Sequence, residues 1–353
     1  MANADSFLVA VCQIGAERAL KHELTTNDPA LRPAFARPGL VTFKSTALSI
    51  GPDFALQSVF ARAFAAALGP AREVNEVIAI ADRVRKERRD IRLRLHVFER
   101  DRHRPGEELP VSDENLEDGA LARDLESRLR GAATDTFLEG TRAQSNDLVL
   151  DVIVAKDEPC FIGQHVHSAL HSPFPGGRIP VEVPADAPSR AYRKVEEAIA
   201  WSGAPLKSGQ IAVEVGSAPG GASLALLRRG LEVIGIDPGA MAEIVLADPR
   251  FRHLQSPVAA IATEDLPRRA DWLLLDVNLA PQVALHSIRR LVAALRTHLR
   301  GVLFTLKLND WEMAREVPDF LRRMEGMGLS EVRATQLPGN RQEIFAYGVM
   351  RRK

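Results

Sequence analysis

The chain has 353 residues, and its 46 basic and 46 acidic side chains give a formal net charge of zero. This length predicts two domains, and a hydrophobic fraction of 46% is enough for two sizeable cores. No apolar run reaches the roughly 18 residues that cross a bilayer, no signal peptide is recognisable at the start, and two cysteines, Cys12 and Cys160, cannot build a disulfide framework or a four-ligand zinc site. A cytoplasmic protein with no metal requirement is therefore expected, and zero net charge at first argues against a nucleic-acid partner.

The charge is unevenly spread. Residues 1–104 carry a net +5, residues 105–150 a net −7 and residues 151–353 a net +2. The basic segment is densest over residues 83–104. There Ile91, Leu93, Leu95, Val97 and Phe98 predict a strand with Arg92 and Arg94 on the opposite face. That face reads either as a solvated surface or as a phosphate-contacting patch. Residues 116–138 have helical periodicity, with Leu121, Leu125, Leu129 and Ala132 near one face. Residues 148–154 (L-V-L-D-V-I-V) read as a buried strand. Residues 172–188 hold five prolines and two glycines, which no helix or central strand tolerates, so they are the expected linker. The expected domains are residues 1–171 and 189–353.

After the linker the pattern alternates. A helix is predicted over residues 189–201, with Ser189 as its N-cap. Strand 211–215, helix 222–229 and strand 232–236 follow. Strands 272–275 and 302–306 flank a helix over 281–299, and another helix covers 311–327. Strands 331–337 and 344–350 are joined by P-G-N-R as an antiparallel hairpin. This order of six strands predicts an α/β fold, a mostly parallel, doubly wound sheet whose last strand is reversed.

The clearest motif is E-V-G-S-A-P-G-G at a strand-to-helix junction. Its Gly216, Ser217, Ala218, Pro219, Gly220 and Gly221 form a tight turn that lets a ligand approach the backbone. Asp237, 21 residues after Gly216, ends the next strand, where a carboxylate can hold the two hydroxyls of a ribose. The spacing is not that of a dinucleotide site, and no phosphate-binding Lys follows. A ribose-bearing cofactor such as S-adenosylmethionine fits better. Asp276 and Lys307 end two later strands, and Glu343 begins the reversed one, so all three should meet beside the glycine turn. Each alone also reads as a polar residue capping a strand. Lys307 is one of only eight lysines among 46 basic residues.

These strings give the C-terminal half its resemblance to the FtsJ-type ribose 2′-O-methyltransferases. The resemblance rests on S-R-A-Y-R-K (residues 189–194), the glycine turn, L-L-L-D-V-N-L-A-P (273–281), F-T-L-K (304–307) and R-Q-E-I-F (341–345). It implies a Rossmann-like, mostly parallel seven-stranded methyltransferase sheet with an antiparallel last strand, and a catalytic tetrad of Lys194, Asp276, Lys307 and Glu343, with Asp276 also near the cofactor. In that tetrad Lys307 is the general base for a ribose hydroxyl, and Lys194 helps to depress its pKa. Arg190, inside the first string, is an implied RNA contact. Where such enzymes commonly place an adenine-contacting Asp, this chain has L-Q-S-P-V (254–258), leaving Gln255 or Ser256 to substitute. The N-terminal half is similar to RNA methyltransferases with a THUMP-type RNA-binding module. Domain order and linker position resemble those acting on a cytidine of 23S rRNA, which implies an rRNA partner. Two alternatives stay open: the same fold acting on another RNA or a small molecule, and a non-catalytic RNA-binding assembly factor.

Overall fold

The computed structural model describes residues 6–101, apart from 46 and 48, and residues 119–351. The chain divides into two compact units, Met1–Arg178 and Ile179–Lys353, and the division falls inside the Pro/Gly-rich stretch. Among the described residues no helix is long and apolar enough to cross a membrane.

The first unit runs β1 (Phe7–Val11), α1 (Glu17–Asn27), β2 (Leu31–Arg37), β3 (Leu40–Ser45), β4 (Ala63–Ala71), α2 (Val74–Glu87), β5 (Arg94–Glu99), α3 (Ala120–Ala132), β6 (Leu148–Val154) and β7 (Cys160–Val166). Its strands form one sheet in the order β2-β3-β1-β4-β7-β6-β5. Among the described residues only the β5–β6 pair is parallel. Every residue of β6 is buried, as its apolar composition predicts, and Asp151 in its middle is the one charged residue. Val77, Ala81 and Val84 of α2 and Leu129 of α3 join Leu150 and Val152 in one core cluster, while Val9, Phe98 and Ile153 form another. Each fully buried aliphatic side chain contributes roughly 1.5–3 kcal/mol of transfer free energy.

Two local expectations shift. The strand expected from Ile91 begins at Arg94. Ile91 is exposed, and Leu93 makes an isolated bridge to Phe137 instead. The helix expected over 116–138 occupies Ala120–Ala132 and buries Ala122 and Leu129, leaving Leu121 exposed. Residues 116–118, and Arg102 and Arg104 of the basic segment, lie outside the described residues.

The second unit runs α4 (Ala191–Ser202), β8 (Ile211–Val215), α5 (Gly221–Arg228), β9 (Glu232–Ile236), α6 (Glu243–Leu246), β10 (Phe251–Leu254), β11 (Trp272–Asp276), α7 (Pro281–Leu295), β12 (Gly301–Lys307), α8 (Val317–Gly326), β13 (Leu329–Thr335) and β14 (Glu343–Met350). The sheet order is β10-β9-β8-β11-β12-β14-β13. β14 is antiparallel to both neighbours, and the other pairs are parallel. The chain winds outward from β8 through β9 to β10, then restarts at β11 on the other side of β8. That reversal opens a crevice at the carboxyl ends of β8 and β11, where open α/β sheets take ligands.

Tyr192, Val195 and Ile199 of α4 share a core cluster with Leu224 and Leu227 of α5 and with Trp272 of β11. The indole N–H of Trp272 donates to Gln210 Oε1 at 2.9 Å, which satisfies its one buried donor. α7 buries Ala284, Leu285, Ile288, Leu291, Val292 and Leu295, a stripe at helical spacing. The helix expected over 311–327 is a 3₁₀ segment, Trp311–Glu316, followed by α8, with Pro318 in the first turn of α8. α4 starts one residue later than expected. Its N-cap position is Arg190, while Ser189 Oγ still accepts from Ala191 N at 3.3 Å.

Candidate active site

The glycine turn is set by close backbone packing as much as by ligand access. Gly216 leaves β8 at φ +86°, where an L side chain is strained, and its N–H donates to Ile236 O at 2.9 Å. A Cβ at Gly216 would also overlap the carbonyl oxygen of Asp276, so the turn rests directly on the end of β11. Ser217 is buried, with its hydroxyl 3.6 Å from Met241 Sδ. Ala218 and Pro219 follow through a cis peptide, and Gly220 caps α5. A Cβ at Gly221 would overlap Ser189, so this glycine lets α5 approach the start of α4, the helix that carries Lys194.

Asp237 follows β9 at the same sheet edge. Its Oδ1 accepts from Gly239 N at 2.7 Å, and Oδ2 accepts no hydrogen bond among the described residues. One carboxylate oxygen is thus held by the turn and the other is available to a hydroxyl. Gln255 and Ser256 come just after β10, and Gln255 Nε2 lies 3.5 Å from Pro238 O.

The four residues of the implied tetrad meet. Lys307 ends β12 directly opposite Glu343, the first residue of β14, because β14 runs antiparallel. Asp276 ends β11, the other neighbour of β12, and Lys194 reaches in from α4. The result is a closed ring of alternating charge. Lys194 Nζ donates to Asp276 Oδ2 at 3.2 Å and pairs with Glu343 Oε1. Lys307 Nζ pairs with Asp276 Oδ1 at 3.3 Å and donates to Glu343 Oε2 at 2.5 Å. Each carboxylate gives one oxygen to each amine. Glu343 forms the floor with its side chain 5% exposed, whereas Asp276 and Lys307 are both 23% exposed and face the open edge.

The electrostatics correct one expectation. Lys194 was to depress the pKa of Lys307. Burial does pull the Lys307 amine down, but Asp276 and Glu343 outweigh it and hold its pKa above the ordinary lysine value. Lys307 is therefore an ammonium at neutral pH in the free protein. Burial pushes the Glu343 carboxyl up, and Lys194 and Lys307 together bring it below the usual range.

Three supporting residues were not singled out from the sequence. Glu214, on β8 beneath the turn, is buried, and its carboxyl accepts from Ser223 Oγ at 2.5 Å. Burial raises its pKa to about 8. The Ser223 hydrogen bond opposes this rise, and the negative Asp276 and Asp237 add to it. Asn340 Nδ2 lies 3.4 Å from Glu343 Oε1. Glu197, one turn beyond Lys194, accepts from Gly339 N at 2.7 Å and so ties α4 to the turn before Glu343. Only the quoted E-V-G string pointed to Glu214. Asn340 and Glu197 depend on long-range packing that carries no local signal.

The arginine patch is corrected at Arg94. Arg94 is 7% exposed: its Nε donates to Asp147 Oδ2 at 2.9 Å and its Nη1 reaches the carbonyls of Glu139 and Gly140. Its charge is used inside the fold, where an unpaired guanidinium would be costly, and it does not face phosphate. Arg92 is exposed, with Nη2 donating to Phe137 O at 2.5 Å. Arg190 is half-buried at the N-cap of α4.

Residues 187–318 match the family model described as FtsJ-like methyltransferase, so the second unit carries an FtsJ-like methyltransferase domain. The match includes Lys194, Asp276 and Lys307 and ends before Glu343. A protein of Alkalilimnicola ehrlichii named ribosomal RNA large subunit methyltransferase M is 34% identical over 183 residues, covering 49% of this chain and 48% of its own. One of the same name from Musicola paradisiaca is 28% identical over 252 residues, covering 68% and 67%. The chain spans about half the length of the first curated relatives it matches. A solved structure of the Burkholderia thailandensis 1,6-didemethyltoxoflavin-N1-methyltransferase with bound S-adenosylhomocysteine is 15% identical at a TM-score of 0.37, over 49% of this chain and 94% of that one.

Proposed function

We propose that this FtsJ-like domain serves an S-adenosylmethionine-dependent RNA methyltransferase that modifies a ribose 2′-hydroxyl, and that its substrate is a cytidine of 23S rRNA. The observation that carries the reading is the closed ring of Lys194, Asp276, Lys307 and Glu343 at the edge shared with the glycine turn. Two amines and two carboxylates in that arrangement suit proton transfer from a weakly acidic hydroxyl. The names of the relatives support an rRNA substrate. The basic first segment supports a role for the first unit, read as a THUMP-type module, in holding RNA.

The residues fit the cofactor. The glycine turn follows β8 at the carboxyl edge of the sheet, and Asp237 at the end of β9 has Oδ2 available for a ribose diol. Bound S-adenosylmethionine supplies an electrophilic methyl group on a sulfonium. The turn at Gly216 to Gly221, Asp237 and Asp276 would hold it.

Lys307 Nζ takes the proton of the attacking hydroxyl. In the free protein it is already protonated, so it must first release one proton to solvent water at the open edge. A ribose docked over the open edge removes the water that still reaches Lys307, and that burial is the influence that lowers its pKa. Lys194 Nζ keeps positive charge beside the developing alkoxide. Asp276 and Glu343 orient both amines. Alignment of the hydroxyl then supplies much of the remaining acceleration.

Incubating the full chain with labelled S-adenosylmethionine and rRNA lacking the modification, then mapping the product, tests this reading. One 2′-O-methylated ribose is expected, and none with Lys307→Ala. Methylation of a base, or full activity of Lys307→Ala, would overturn the reaction class. A single methylated ribose in a different RNA would overturn only the 23S assignment.

A further inference from the structure

The first unit contains a second cluster of chemical groups, which the methyl-transfer reading does not use. Asp151 lies in the middle of β6, 3% exposed in a strand of otherwise apolar residues. A buried carboxylate in such a place needs partners. Its Oδ2 is 2.6 Å from His165 Nδ1 on β7, and its Oδ1 is 3.6 Å from His96 Nδ1 on β5. His165 therefore directs Nδ1 at the carboxylate and turns Nε2 away from it.

That Nε2 is buried and has no hydrogen-bond partner among the described residues. The same holds for Nδ1 of His167 and Nε2 of His171. Buried polar atoms are nearly always partnered, so three orphaned imidazole nitrogens in one place call for an explanation. One ring nitrogen from each of the three histidines lies within 4.8 Å of the other two.

Local structure builds the cluster. His165 is the penultimate residue of β7, and the i, i+2 alternation of an extended chain brings His167 to the same face. The chain then turns, with His171 N donating to Ser168 O at 3.0 Å. This places the His171 ring parallel to that of His165, centroids 4.1 Å apart, with Phe64 stacked at 4.3 Å on His171. Ser168 Oγ lies 3.1 Å from His171 Nδ1, which leaves Nε2 for another partner.

We propose that His165, His167 and His171 bind one zinc ion. Three imidazoles and an open fourth position are a recurrent zinc donor set. Asp151 on the far nitrogen of His165 supplies the outer carboxylate that typically orients a zinc-bound histidine. Tetrahedral coordination at 2.0–2.1 Å puts nitrogens ~3.3 Å apart. The cluster must therefore contract by up to roughly 1.5 Å, and the stacked His165 and His171 rings must tilt toward each other. His171 follows a turn and is only half-buried, so side-chain rotation there can supply the movement. The ion would clip the chain after β7 back onto the sheet. Two cysteines ruled out a thiolate site in the sequence, but they say nothing about an imidazole site.

The test uses the full chain stripped with a chelator and titrated with zinc sulfate by calorimetry. One equivalent should bind, and cobalt(II) in its place should give the intense visible bands of a four-coordinate site. His171→Gln should weaken binding by more than ~100-fold. Asp151→Asn, which spares all three ligands, should weaken it by ~10–100-fold. His167→Gln is the second ligand variant, and the circular dichroism of each variant shows whether it is folded. No zinc uptake by the stripped wild-type chain would overturn the assignment. So would wild-type affinity in a folded His171→Gln or His167→Gln chain.

Discussion

Replacing Glu214 with Gln tests the electrostatics beneath the glycine turn through stability alone. In the folded protein the Glu214 carboxyl keeps its proton up to about pH 8, against an ordinary value of 4.5, first because it is buried and then because Asp276 and Asp237 lie near. Below pH 4.5 both the folded and the unfolded chain hold this proton, so it does not affect the balance. Between pH 4.5 and 8 the unfolded chain releases it and the folded chain does not, so stability falls as pH rises. Each pH unit costs about 1.4 kcal/mol, for a total of about 5 kcal/mol across the window. Gln has the same shape, can still accept from Ser223 Oγ and does not titrate. The variant should be within about 1 kcal/mol of wild type at pH 4.5, the net worth of one hydrogen bond. It should then become progressively the more stable chain, by several kcal/mol at pH 8. All three tryptophans, Trp201, Trp272 and Trp311, lie in the second unit, so urea unfolding followed by their fluorescence reports on the right half. Other titrating groups are common to both chains and cancel in the difference. A difference that stays constant from pH 4.5 to 8 would refute a buried neutral Glu214.

Lys307→Arg keeps the positive charge but cannot release a proton at working pH. Methyl transfer should fall by ~10²–10⁴-fold while calorimetric affinity for the cofactor is retained; near-normal methylation would remove Lys307 as the base. Asp237→Ala loses a charged acceptor worth roughly 1.5–3 kcal/mol, so cofactor affinity should drop at least ~10-fold; unchanged affinity would leave Asp237 as a turn residue only. Arg94→Met leaves Asp147 without its buried partner and should destabilise the first unit by ~3 kcal/mol without changing the salt dependence of RNA binding. A changed salt slope in a fully stable variant would restore the phosphate-contact reading.

The second sheet was legible because its strands are short apolar runs bounded by turn residues, and the glycine turn and Asp237 have fixed places in that pattern. The reversed β14 followed from the P-G-N-R link, and its direction places Glu343 opposite Lys307. β10 escaped because Phe251–Leu254 is a half-buried edge strand with two polar side chains and no clean alternation. Arg94 was misread for a related reason. Alternation gives the face of a strand, but not what covers that face, and here the chain around Glu139, Gly140 and Asp147 covers it. The raised pKa of Lys307 was equally out of reach. Its sign depends on whether two nearby carboxylates outweigh burial of the amine, and the sequence contains neither those distances nor that burial.

The choice of lysine at Lys194 and Lys307 has a geometric reason beyond proton release. The chain uses Arg at 38 of its 46 basic positions, yet both cations of the ring are Lys. A guanidinium engages one carboxylate with two parallel hydrogen bonds, and it would turn the ring into two separate pairs. An ammonium is a single atom with three donors, able to point at different carboxylates at once. Lys307 Nζ uses two of its three positions on Asp276 Oδ1 and Glu343 Oε2. The third is left over, and Lys307 belongs to the open side of the ring, where its side chain is 23% exposed. As an ammonium it offers a donor there, and after losing one proton it offers a lone pair. The carboxylates that oppose deprotonation therefore also set the direction in which the remaining position can point. A ring made only to neutralise charge would not need an open side; this one has it at the lysine proposed to receive the proton.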